Sequence, residues 1–189
     1  VQSVRELAEG VEVLNARGEG GIFDRVVVAT QANQLGFLDT PWQREQTLMQ
    51  GIRFDHGELW VHTDTRFLPA KRSDWSALNY SISRDLSQAM FSVWVNAVEP
   101  SLQDAAPILQ TWNPLFPPAD EHVIVRVPLA RAVVHSGTHS VHEQLRVLHA
   151  EAGRRVFFCG SWAHAGVPLL ESAVRSAQAV AAFIPAAKA

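Results

Sequence analysis

Three histidines and a glutamate crowd one short stretch, His135-Ser-Gly-Thr-His139-Ser-Val-His142-Glu143. Histidines chelate a metal from one helix face when they stand four apart. Gly137 interrupts the first pair, and His139 and His142 stand three apart at a helix start. No cysteine or second carboxylate sits at a ligand-like spacing, so the stretch reads as loop and surface histidines, and no metal is expected. Ser161 follows Gly160, but Gly160-Ser-Trp-Ala-His164 lacks the second glycine of the Gly-x-Ser-x-Gly nucleophile elbow, so acyl transfer through Ser161 is not expected. Cys159 lies in an apolar run and reads as an inert core thiol. Arg72 and Asp74 read as a solvated pair. No residue is assigned a catalytic role.

A different chemistry is open to the stretch from Arg155 to Ile184. Val156 to Cys159 is a short apolar run stopped by Gly160, the pattern of a buried strand ending in a turn. Pro168 stands where the first turn of a helix is expected, a position that does not need its N–H. From Leu169 onward, Ala173, Ala177, Val180 and Ile184 recur at three and four, predicting a helix with a small apolar face. The N–H groups of Leu169 and Leu170 would then be free at the positive end of the helix dipole. Strand, glycine turn and helix start together make a seat for an anion or an electron-rich carbonyl.

The elements around this seat follow from the rest of the chain. Its 189 residues are 47% hydrophobic and 19% charged, a balance that supports a packed core. A net charge of -3 with no basic run gives nucleic acid no footprint. No apolar run reaches the roughly 20 residues of a membrane span, so none is expected. Absent export signals and a single cysteine suggest a cytoplasmic location. Val1–Leu7 and Val11–Leu14 read as paired strands with turns at Ala8–Gly10 and Arg17–Gly21. Phe23–Ala29 reads as one strand buried on both faces. Thr40 and Pro41 read as cap and first residue of a polar helix ending near Gln50. Ile52–His62, Ala77–Ser83 and Gln88–Val98 suggest an antiparallel sheet. Val123–Val127 reads as a further strand, and Ser140–Ala152 as a helix with Val141, Leu145 and Leu148 on one face. The expected organisation is a first lobe over 1–40, a Trp-rich second lobe over 41–130 and a return to the first over 131–189. The opening Val-Gln-Ser-Val, directly in a strand pattern, suggests a piece of a longer protein.

Phe23-Asp-Arg-Val-Val-Val-Ala-Thr30, His62-Thr-Asp64 with Leu68-Pro69, Trp75-Ser-Ala-Leu-Asn-Tyr80, Trp112-Asn-Pro114, and Phe158-Cys-Gly-Ser161 with Leu169-Leu-Glu-Ser-Ala-Val174 carry a resemblance. Together they resemble the C-terminal half of the flavin-containing amine oxidase superfamily, which includes protoporphyrinogen oxidase-like enzymes, and most of all its bacterial NAD/FAD-binding oxidoreductase branch. The resemblance implies an α/β fold with α+β character: an antiparallel or mixed-sheet substrate lobe beside a partial Rossmann-like FAD lobe without its first βαβ unit. It implies FAD as cofactor and hydride transfer from an apolar or amine substrate. Val1 would contact the adenine, and Ala29 and Thr30 would line the dinucleotide. Gly160 and Ser161 would lie against the ribityl-pyrophosphate. Pro168, Leu169 and Leu170 would form the flavin-contacting helix start, with the Leu170 N–H on the flavin C2 carbonyl. Trp75, Asn79 and Tyr80 would line the substrate pocket.

The Gly-x-Gly-x-x-Gly motif and its acidic residue are absent from this chain. The resemblance therefore implies that the main pyrophosphate and ribose contacts come from the protein's own N-terminal FAD-binding half, and that this chain alone is inactive. The family's Gly-Glu after the strand is Ser161-Trp162 here. The alternative expectation is a non-catalytic binding or interaction module without a cofactor of its own.

Overall fold

The computed structural model describes residues 1–38 and 42–184. The expected cap and helix start at Thr40 and Pro41 lie outside the described residues. Among those described, the chain is a mixed α/β protein with three α-helices and largely antiparallel sheets. It falls into two compact units. One is drawn from Val1–Asp55 and Ala132–Ala189, the other is His56–Arg131. No helix among the described residues is long and apolar enough to cross a membrane.

In the first unit, β1 (Ser3–Glu6), β2 (Val11–Leu14) and β3 (Gly20–Phe23) form an antiparallel meander. Asn15 closes the second turn by accepting from the backbone N–H groups of Arg17 and Glu19. The expected single strand over Phe23–Ala29 is two strands instead. Phe23 ends β3 opposite Val11, and β4 (Val26–Val28) turns away to pair parallel with β10 (Val156–Phe158). Phe23 and Val27 are 51% and 41% exposed, so the run is not buried on both faces. An apolar run alone cannot reveal that its two halves serve different sheets.

The helix α1 (Gln43–Met49) belongs to this unit, although sequence grouping placed it with the second lobe. Trp42, Met49 and Ile52 anchor it in a core with Val4, Val28, Val156, Phe158 and Trp162. Glu45, on the same helix, is buried and receives Arg154 at 2.9 Å. The helix α2 (Thr138–His149) buries Val141, Leu145 and Leu148, the expected face. The helix α3 (Leu170–Ala181) buries Ser172, Ser176 and Val180. Of the expected face, Val180 is buried and Ala173 and Ile184 are half-buried, while Ala177 is exposed. The two serines go inward because their hydroxyls meet backbone carbonyls there, Ser172 that of Val167 and Ser176 those of Gly160 and Ala173.

The second unit is built on a five-stranded sheet in the order β6-β7-β8-β5-β9. Its strands are β5 (Arg53–His62), β6 (Leu78–Ile82), β7 (Ala89–Trp94), β8 (Leu109–Trp112) and β9 (Val123–Val133). Sequence reading missed β8, a strand of four residues that holds the sheet's centre. One sheet face packs Met90 and Leu109 beneath Phe67, Leu68, Trp75 and Leu115. On that face His62, Thr111 and Ser92 make a buried polar line across three strands. The His62 ring lies 2.8 Å from Thr111 Oγ1, which lies 2.7 Å from Ser92 Oγ. His62 Nδ1 accepts from the Asp64 N–H, which leaves Nε2 to donate to Thr111. The Asp64 carboxylate in turn receives Arg66 and the Ala119 N–H. Arg66 holds it well below the usual carboxylate range. The other face is open and apolar: Leu78, Tyr80 and Ile82 are 43%, 69% and 60% exposed, in register with Val93, Phe91 and Ala89.

Candidate functional site

The carboxyl ends of β4 and β10 lie side by side, because the two strands run parallel with Val28 opposite Phe158. Ala29 and Thr30 leave one strand there, and Gly160 and Ser161 leave the other. Two side chains fasten this rim. Trp162, buried in the core, donates its indole N–H to the Thr30 carbonyl at 3.0 Å. Ser176 on α3 accepts the Gly160 N–H at 2.9 Å, and its own hydroxyl stands 2.9 Å from the Gly160 carbonyl. The structure thus ties Gly160 to the body of α3 and Thr30 to the buried Trp162. Trp162 and Ser176 do the joining, and sequence reading assigned neither a part. A tryptophan two residues after the strand-ending glycine was the available signal for the first; a serine at helical spacing carried none for the second.

The helix start differs from the expected geometry in two respects. Leu169 is the N-cap, with extended backbone, so Pro168 lies one residue before the cap and not in the first turn. The Leu169 N–H is also not free: it donates to the Val167 carbonyl at 2.7 Å. Leu170 opens the helix, 87% exposed, and its N–H has no intrahelical acceptor at that position. Ala29 and Thr30 are exposed and Ser161 is half-buried, so the rim presents backbone and hydroxyls to solvent. Val1 is 74% exposed at the start of the meander, and among the described residues no hydrogen bond ties it to this rim.

The outer edge of β10 is closed by side chains. His149 Nε2 accepts the Phe158 N–H at 3.1 Å, and Arg154 Nε donates to the Val156 carbonyl at 2.7 Å. Accepting through Nε2 places the His149 proton on Nδ1. Burial, helped by Arg154, pushes its pKa down to about 4, so the ring is neutral at pH 7. Burial also pushes the Cys159 thiol up, which keeps it protonated and unreactive.

The histidine-rich stretch is dispersed among backbone partners. His135 Nε2 lies 3.0 Å from the Gly51 carbonyl and His142 Nε2 2.8 Å from that of Trp162. Among the described residues no group of three His, Cys, Asp or Glu side chains converges.

In the second unit, the three expected pocket residues do not share a face. Asn79 and Tyr80 are neighbours on β6, and successive strand residues point to opposite sides. Tyr80 stands on the open face against Phe91. Asn79 binds its own turn through the Ser76 carbonyl at 2.7 Å, and Trp75 donates to the Pro69 carbonyl at 2.8 Å. Arg72 does not pair with Asp74 as read. Its guanidinium lies 3.8 Å from the Trp75 ring centroid and 4.5 Å from that of Trp94. Stacking on two indoles outcompetes a solvated ion pair, which is worth only about 0–1 kcal/mol.

No protein-family model matches the chain, and no curated protein matches it.

Proposed function

We propose that this chain is the C-terminal part of a cytoplasmic FAD-dependent oxidoreductase of the amine oxidase type, acting on an apolar or amine substrate. The observation that supports the reading is the meeting of two parallel strand ends with a twelve-residue helix, which Ser176 ties to Gly160. In open α/β sheets ligands bind outside the carboxyl ends of the strands, where helix starts offer unsatisfied N–H groups.

The exposed Ala29–Thr30 backbone, the half-buried Ser161 and the Leu170 N–H fit the polar edge of a flat ring system. Thr30, Ser161 and Leu170 would therefore hold the cofactor, and FAD bound there would supply the hydride-accepting chemistry. Leu170 would present its N–H at the positive end of α3, favouring negative charge at that edge. Gly160 would act through shape, since Ser176 already occupies its amide. Trp162 would keep the rim rigid by fixing Thr30. The open sheet face around Tyr80 and Phe91 supplies apolar surface suited to such a substrate.

A second reading, a binding module without a cofactor, draws on the Gly160 and Leu169 N–H groups, which are already satisfied internally. Flavin titration separates the two. The chain joined to its upstream half is expected to bind FAD and turn yellow, while the chain alone binds it weakly. A colourless, flavin-free full-length protein would overturn the oxidoreductase reading and leave the binding module.

A further inference from the structure

The second unit holds a cavity of about 540 Å3 beneath the loop from Asn113 to Pro117, lined on its other sides by Glu58, Trp60 and Gln88. The loop is held against β5 by a reciprocal clamp. Asn113 donates its N–H to the Glu58 carbonyl at 2.9 Å, and its Oδ1 accepts the Glu58 N–H at 2.8 Å. Asn113 adopts φ 45 to do this, a conformation asparagine tolerates better than most residues. Gly57 makes room: a Cβ there would come within 2.6 Å of the Trp112 ring. The clamp therefore fixes the backbone from which the Glu58 carboxylate and the Trp60 ring project.

That carboxylate and that ring already receive a cation from the chain itself. Arg126 pairs with Glu58, and its guanidinium lies 4.8 Å from the Trp60 ring centroid. A second arginine, Arg66, stands 5.7 Å over Phe116, which also lines the cavity. Carboxylate beside indole is the chemistry that recognises a planar, weakly hydrated cation. The Arg126 side chain is 55% exposed, and solvent screening keeps exposed pairs of this kind weak, so an incoming cation can displace it.

We propose that this cavity is a binding site for a small organic cation with a guanidinium head, and that Arg126 is its built-in competitor. Free guanidines and a peptide arginine share this head. The test is calorimetric titration of the full chain and its Arg126→Ser variant with ethylguanidinium, N-ethylurea and acetyl-arginine-amide. The variant is expected to bind at least one of the cations about tenfold more tightly than the parent, since the competing cation–π contact and ion pair are gone. N-ethylurea, the neutral isostere, is expected not to bind. Tighter binding of ethylguanidinium assigns a free small molecule, and tighter binding of acetyl-arginine-amide assigns a peptide side chain. Adding Glu58→Gln is expected to abolish the gain; the backbone clamp leaves that variant folded, which circular dichroism checks. The proposal is overturned if Arg126→Ser binds neither cation at millimolar concentration, if N-ethylurea binds equally well, or if the Glu58→Gln double variant binds as tightly.

Discussion

Gly160 holds φ 148 and ψ 172, a region open in practice only to glycine. A Cβ at this position would lie 2.7 Å from the Trp162 Nε1, the atom that secures Thr30. Gly160→Ala combines backbone strain with displacement of a buried indole, and is expected to lower unfolding stability by about 2–4 kcal/mol in urea denaturation. An unchanged midpoint would show that the rim is not rigid. His149 gives the same unit a pH dependence. Its folded pKa, about 4, lies below the ordinary histidine value of 6.5. Between those values the unfolded chain binds a proton that the folded chain refuses. Stability from this group is therefore full above pH 6.5 and lost as pH falls toward 4, by roughly 3 kcal/mol in all. Denaturant midpoints measured across that window are expected to fall, and His149→Gln is expected to flatten the decline.

At the scale of elements, β8 is a short strand whose Thr111 is fully buried between His62 and Ser92. Thr111→Val keeps the shape and removes the hydroxyl, leaving a buried imidazole donor unmet. A loss of about 1–3 kcal/mol in thermal unfolding is expected, with the sheet retained by circular dichroism. The start of α3 permits a cleaner substitution. Leu169 has the extended backbone that precedes proline readily, and Leu170 occupies the first helical position, where proline is welcome. Leu170→Pro therefore deletes one N–H and an exposed side chain while sparing the helix. In a protein carrying the proposed upstream half, the variant is expected to keep its far-ultraviolet spectrum and to hold the proposed FAD about tenfold less tightly, the cost of one hydrogen bond to a polarised carbonyl. Unaltered flavin affinity and potential would remove Leu170 from the proposed contact.

For the whole molecule, the chain leaves its first unit along β5 and returns along β9, so that β4 meets β10 only after the entire second unit has been made. Local patterns were enough for much of this. The apolar spacing of Val141, Leu145 and Leu148 named the buried face of α2, and the glycine after Val156–Cys159 marked the end of β10. Other features depend on which distant groups come within reach. Phe23 and Val27 look alike in an apolar run, but only pairing sends one to the meander and the other to a parallel sheet. Ser172 and Ser176 look like a solvent face until carbonyls at Val167 and Gly160 accept their hydroxyls. Arg72 and Asp74 look like partners until Trp94, far along the chain, offers a ring. Sequence by itself determined the strand–glycine–helix order and the chemistry a helix start can offer, because both follow from backbone periodicity and orphan N–H groups. The tertiary structure alone decided which of those N–H groups stay open, because a hydrogen bond depends on where its acceptor ends up. Ser176, on the following helix, takes the Gly160 N–H, while the Leu170 N–H at the start of α3 has no intrahelical acceptor.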